Sequence, residues 1–251
     1  MCLIGIAYQQ IAGVPLLVLA NRDEYYARPA QPIARWEDAP LLGGRDTQAG
    51  GSWLAVSDNG RVAAVTNVRT GSRASGRLSR GALVPAWLTS PLSAAEFAAE
   101  LTRQRGDYAP FNLLFGSMGD LYCFHSPRAL LTRLRPGVHI LCNGLPDAPW
   151  PKSERLRGWL SATTTLPGED VLFDWLADRT PAPVEALPNT GVGLALEKFL
   201  SPIFIAGDDY GTRASTLLTL TSRGRGTLVE RSFHAGRPQG ARRLTFTVQP
   251  R

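Results

Sequence analysis

Residues 1–24, MCLIGIAYQQIAGVPLLVLANRDE, set two apolar, β-compatible runs, Leu3 to Ala7 and Leu16 to Ala20, on either side of a break at Gly13 and Pro15. Short apolar runs bounded by turn formers read as neighbouring strands. No charge precedes Arg22, yet the segment lacks a basic leading region, is interrupted by Tyr8, Gln9 and Gln10, and offers no small-x-small cleavage site. A secretion signal is therefore not expected. The stretch closes on Asn21, Arg22, Asp23 and Glu24, four polar side chains at a strand end, where functional groups gather on rigid supports.

Outward from this pair, Asn21 to Gly51 holds Pro29, Pro32 and Pro40 with few periodic apolar residues and reads as a long structured loop. Ser52 to Ser57 and Arg61 to Thr66 flank Asp58-Asn59-Gly60, a strong hairpin signal. Ala82 to Leu88 reads as a helix, and Ser93-Ala94-Ala95-Glu96 matches a capping box opening a second helix toward Arg105. Asn112 to Phe115, Leu121 to His125, Leu130 to Leu134 and Val138 to Cys142 form an expected meander. Helices follow from Pro151 to Leu160 and from Glu169 to Ala177, the latter with Val171, Leu172, Trp175 and Leu176 expected inward, and Pro181 to Pro188 links onward. Thr216 to Thr221, Thr227 to Phe233 and Leu244 to Val248 complete the strands. Strands, helices, strands, helices, strands fit an α+β fold of two packed antiparallel sheets with helices outside. Nothing marks a second domain, so residues 1–251 are expected to form one.

The composition, 44% hydrophobic and 19% charged over 251 residues, is that of a globular chain and excludes disordered, collagen-like and coiled-coil classes. The net charge of +6 is spread as arginine through every segment, against only two lysines, Lys152 and Lys198, which argues against nucleic acid as the partner. The one cluster, Arg69, Arg73, Arg77 and Arg80, reads as an exposed Gly/Ser-rich loop suited to a small anionic ligand. No apolar stretch is long enough for a membrane helix. Cys2, Cys123 and Cys142 make neither a disulfide framework nor a metal site, and a reducing cytoplasm is the expected compartment. His125, His139 and His234 stand apart from one another, so no metal site is expected; the oligomeric state is not encoded in any feature.

Cys2 carries the most chemistry. Removal of Met1 would expose a cysteine with a free α-amine, whose pKa near 8 lets it take the thiol proton, so that one residue is nucleophile and base and no catalytic histidine is needed. Without that processing Cys2 is a small apolar residue opening a strand. Asp23 is placed to orient the amine, and otherwise caps a strand end.

Met1-Cys2-Leu3, Ala20-Asn21-Arg22-Asp23-Glu24, Arg28-Pro29, Gly50-Gly51-Ser52-Trp53-Leu54, Thr66-Asn67-Val68-Arg69, Cys142-Asn143-Gly144, Trp150-Pro151-Lys152 and Tyr210-Gly211-Thr212-Arg213 resemble, in order and across nearly the whole chain, the NRDE or transport and Golgi organisation protein 2 family. The resemblance implies the four-layer αββα sandwich of N-terminal-nucleophile hydrolases. A more distant similarity to cholylglycine hydrolases and penicillin V acylases implies roles. Cys2 matches the nucleophile and Asp23 the carboxylate near the α-amine. Asn67 and Asn143 match the oxyanion-hole asparagines, and Arg213 matches a late arginine beside the nucleophile.

One departure is Ala20, which stands where those hydrolases carry an arginine; Arg22 and Arg28 are the candidates to replace it. The expected activity is hydrolysis of a non-peptide amide or a related acyl transfer, with Asn21, Arg22, Glu24, Arg28, Arg69 and Arg73 as ligand-binding residues and no required cofactor. The family resemblance also implies an alternative, a non-catalytic carrier of acyl-coenzyme A, lipid or haem, with the Arg22, Arg69 and Arg73 region meeting phosphates or propionates. Either way the expected partner is a small acyl-type ligand.

Overall fold

The computed structural model describes residues 2–70 and 76–248, with Cys2 described by its backbone. β1 (Cys2–Ile11) and β2 (Val14–Tyr25) pair as an antiparallel hairpin. β10 (Gly137–Leu141), β11 (Tyr210–Leu220), β12 (Arg225–His234) and β13 (Arg237–Thr247) complete a six-stranded sheet in the order β10-β1-β2-β11-β12-β13. The second sheet is a seven-stranded meander in chain order: β3 (Ala30–Arg35), β4 (Leu41–Asp46), β5 (Leu54–Ser57), β6 (Val62–Asn67), β7 (Phe111–Gly116), β8 (Leu121–His125) and β9 (Leu130–Arg133).

The period-2 alternation of strands assigns each face. Ile4, Ile6, Leu16, Val18 and Ala20 turn toward Ile33, Leu42, Leu54, Val56 and Leu114 of the other sheet, which makes the central layer of the core. Leu3, Ala7, Leu17 and Leu19 face outward onto Leu156 and Leu160 of α3 (Pro151–Ser161) and Leu172, Phe173 and Leu176 of α4 (Glu169–Leu176). On the far side, Ala63, Phe111, Leu113 and Phe115 receive Trp87 of α1 (Leu83–Thr89) and Phe97 and Leu101 of α2 (Ala94–Gln104), which opens on the expected Ser93–Glu96 capping box. The result is a four-layer αββα sandwich. No helix among the described residues is long and apolar enough to cross a membrane.

Several expectations need correction. Residues 21–51 are not a loop: β2 continues to Tyr25, and β3 and β4 follow. Pro32 is accommodated because β3 is the edge strand of its sheet and its register shifts between Gln31 and Ala34, so the missing N–H breaks no ladder. Residues 112–142 do not form one meander either, since β10 leaves β9 and crosses to pair with β1. β11 begins at Tyr210 and β13 at Arg237, earlier than the apolar runs indicate, because polar residues continue the pairing. In α4 the inward residues are Leu172, Phe173 and Leu176, with Trp175 half-buried against the same core as expected, while Val171 is exposed. The chain after the Pro-rich link carries an unanticipated short helix, α5 (Leu194–Phe199).

Candidate functional site

The site lies where β2 runs out of apolar residues. The same alternation that buries Leu17 and Leu19 under the helices carries Asn21 and Asp23 to that face, while Arg22 follows Val18 and Ala20 between the sheets. Cys2 is the antiparallel partner of Arg22, a relation that sets Cα atoms about 4.5–5.5 Å apart. The Cys2 backbone nitrogen leads toward the next row, that of Asp23. Of the two candidates to replace the arginine missing at Ala20, Arg22 therefore shares the row of Cys2. Ala20 itself is packed in the intersheet core.

Asp23 is buried, and its Oδ1 accepts a 2.7 Å hydrogen bond from the Thr212 hydroxyl, which in turn accepts the Ile205 N–H at 2.9 Å. Burial pushes the Asp23 carboxyl up, and the charge of Lys152 and the Thr212 hydrogen bond pull it only partly back. Lys152 is itself buried, its ammonium donating to the Leu200 carbonyl at 2.9 Å.

A cleft of about 400 Å³ opens at this strand end, lined by Arg22, Asp23, Glu24, Arg28, Trp53 and Asn67 among others. Arg22 stacks on the Trp53 ring, 4.2 Å from its centroid, and lies 3.4 Å from Asp46, which also takes the Arg28 Nε at 2.6 Å. The ring is admitted because Gly44 has no Cβ; one there would fall within the Trp53 indole. Asn67 lines the cleft, and its side chain makes no hydrogen bond among the described residues. Asn143, fully buried, donates from its amide to the Asn67 carbonyl at 3.0 Å. The two asparagines are thus brought together, with Asn143 positioning Asn67.

The remaining expected residues have partners of their own. Asn21 is a structural strut: its amide donates to the Leu176 and Ile203 carbonyls at 2.8 and 2.9 Å and its oxygen accepts from Ser215 at 2.7 Å. Glu24 pairs loosely with Arg28 at 3.9 Å. Arg213 sits at a register shift in β11, donates to the carbonyls of Tyr25 and Arg28, and lines a second cleft that shares Arg22 and Trp53, among the described residues, with the first. Arg69 is not on an exposed loop. Its guanidinium is buried in a 2.5 Å ion pair with Glu197 of α5 and lies over Trp150. Arg73 lies outside the described residues. Reading from residue type alone missed Asp46, Thr212 and Lys152; the last two stand inside motifs quoted above, but only the register that pairs Thr212 with Asp23 and the fold that brings the Lys152 charge to bear on it reveal the connection.

These positions can be set beside known proteins. The family model for Transport and Golgi organisation 2 matches residues 1–235. The chain is similar to the Bos taurus Transport and Golgi organization protein 2 homolog, 30% identical over 244 residues, which are 89% of this chain and 88% of that one. It is similar to the Mus musculus homolog at 28% identity, covering 87% and 86%. Among solved structures it is similar to a conjugated bile acid hydrolase from Clostridium perfringens (TM-score 0.48, 10% identity, 100% of this chain and 98% of that one). It is also similar to a Caenorhabditis elegans N-acylethanolamine-hydrolyzing acid amidase ortholog (TM-score 0.49, 10% identity, 86% and 92%). A match running from the first residue through the end of β12, with curated relatives aligned over nearly their whole length, places this chain in the Transport and Golgi organisation 2 family.

Proposed function

We propose that this chain is an N-terminal cysteine amidohydrolase acting on a non-peptide amide or related acyl substrate. The observation that carries the reading is the register that sets Cys2 opposite Arg22, with buried Asp23 one residue further on, both Arg22 and Asp23 lining a cleft. With Met1 removed, the α-amine of Cys2 takes the thiol proton under the influence of Asp23, and the thiolate attacks the acyl carbon. The Asn67 amide, on a residue whose backbone carbonyl is held by Asn143, donates to the oxygen of the tetrahedral intermediate. The C–N bond breaks as the α-ammonium proton passes to the leaving amine. Water then attacks the thioester, releasing the acid and restoring the thiol.

Intact-mass measurement, followed by turnover assays on a panel of acyl amides, tests this. Loss of Met1 and turnover abolished by Cys2→Ala are expected, with Cys2→Ser retaining at most a trace. Retention of Met1 in the native protein overturns it. The carrier alternative keeps Arg22 but finds Arg69 committed to Glu197; salt-sensitive acyl-coenzyme A binding that survives Cys2→Ala, without turnover, would favour it, and a bound chromophore lost in that variant would point to haem.

A further inference from the structure

On the far side of the Arg22–Trp53 stack a second cleft, of about 440 Å³, opens between β3 of one sheet and β11, β12 and β13 of the other. Arg22, Arg213 and Arg242 line it, and among the described lining residues the one carboxyl is that of Glu230. Arg22 is 6% exposed and Glu230 1%, so both are built into the walls. Glu230 spans the two sheets. Its Oε1 accepts the Ile33 N–H at 3.1 Å and its Oε2 the Thr216 hydroxyl at 3.3 Å, while Arg242 is its cross-strand partner on β13.

Among the described residues, none of the three guanidinium groups forms an ion pair with a carboxylate of this cleft. Arg22 spends Nη2 on Asp46, which lines the other cleft, and Arg213 spends Nη1 on two carbonyls. Burial first, and then the charge of Arg22, lower the pKa of Arg213, as expected of two cations sharing a pocket. Each retains further N–H donors in the planar fork that matches carboxylates and tetrahedral oxyanions.

We propose that this second cleft is a binding site for a small oxyanion group, held by Arg213 and Arg242 beside Arg22. Glu230 makes the site sensitive to pH. Burial pushes its carboxyl up to about 7, against the Ile33 and Thr216 hydrogen bonds and the charges of Arg22 and Arg242. Below that pH it is uncharged; above it, a negative charge faces the ligand. His234 also lines the wall, beside Arg22, Arg213 and Arg242. The site goes beyond the hydrolase reading, because binding is measured without turnover.

The experiment is a titration of the full chain with acetate and with sulfate, neither of which changes charge between pH 6 and 8, followed by backbone and arginine side-chain NMR shifts. Saturable shifts at Arg213 and Arg242 are expected, with affinity falling at least about threefold between pH 6 and 8 as Glu230 ionises. Glu230→Gln should remove most of that fall, and Arg242→Gln should weaken binding several-fold. Preference for acetate identifies a carboxylate, and preference for sulfate a tetrahedral oxyanion. Absence of binding by both anions at pH 6, or binding that both variants leave unchanged, overturns the proposal, whatever the fate of the amidase assay.

Discussion

His139 and Asp147 are locked to one another: the imidazole Nδ1 lies 2.9 Å from an Asp147 carboxylate oxygen while Nε2 lies 2.8 Å from the Arg135 carbonyl oxygen. Both ring nitrogens meet acceptors, an arrangement only the doubly protonated imidazolium satisfies. Asp147, in the left-handed region at φ 60°, also takes the Ile140 N–H at 2.7 Å and Arg157 at 2.9 Å, closing the loop that carries Asn143.

This pair sets a pH window. Burial lowers the pKa of His139, but the Asp147 and Arg135 hydrogen bonds and the Asp147 charge raise it further, so its contribution is complete below the unfolded pKa of about 6.5 and is lost as pH rises through the raised folded value. The Asp147 carboxyl is lowered to about 2 by His139, Ile140 and Arg157 despite its burial, so its contribution is lost as pH falls toward that value. Asp147→Asn is expected to cost about 1 kcal/mol, discounted for its partial exposure, with the deficit largest between about pH 4.5 and 6. Thermal unfolding across pH checks this, and a deficit that grows above pH 8 would contradict it.

Glu230 has the opposite consequence for stability. A carboxyl raised from 4.5 to about 7 makes the folded state hold its proton longer than the unfolded chain. The contribution of Glu230 to stability is therefore greatest below pH 4.5 and declines as pH rises to 7, by roughly 3 kcal/mol for a shift of this size in a buried group. Urea unfolding should show the wild type losing stability over that interval relative to Glu230→Gln. Parallel curves for the two would remove Glu230 as a titrating group.

The strand pair, the Asn59-Gly60 hairpin and the helix from Ser93 were legible because each rests on a local signal: apolar runs, a turn dipeptide and a capping box. β3 and β4 were not, because Pro32 is tolerated only at an edge and Gly43-Gly44 is tolerated only against Ala55 and Trp53, both tertiary facts. Asp23 and Asn67 could be singled out by motif, whereas Asp46 and Glu230 could not: their neighbours come from strands distant in sequence, and an isolated acidic residue is ordinarily a surface residue.

Asp23→Asn keeps an acceptor for the Thr212 hydroxyl and removes the charge. Any amidase activity should fall at least about tenfold, with the melting temperature changed by only a few degrees, because the carboxylate acts on the α-amine rather than filling the core. Unchanged activity together with an unchanged melting temperature would take Asp23 out of the site. Global unfolding would mark it as a strand cap.

Thiol reactivity discriminates among the cysteines. Cys123 is buried in β8, where desolvation drives its thiol far above the ordinary range, and Cys142 is buried at the end of β10. Both should resist iodoacetamide near neutral pH, while Cys2 of the processed chain should alkylate first. Peptide mapping after timed labelling reads the order. Equal rates at all three would remove the case for an activated Cys2.

Arg69 and Glu197 provide the sharpest separation of structure from ligand binding. Their side chains are 7% and 4% exposed and meet at 2.5 Å, and Glu197 also receives the N–H and hydroxyl of Thr190 at 2.8 and 2.6 Å. Breaking a buried pair from one side leaves the other charge uncompensated, so Arg69→Gln should cost about 3–5 kcal/mol, a drop of roughly 10 °C or more in melting temperature. Adding Glu197→Gln should restore part of that loss, because the stranded carboxylate is gone. A phosphate-binding role predicts something different: acyl-coenzyme A affinity lost in Arg69→Gln, still lost in the double variant, and little change in melting. Calorimetry on the two variants, paired with an acyl-coenzyme A titration, decides which account of Arg69 holds, and a single variant that melts like the wild type would overturn the structural one.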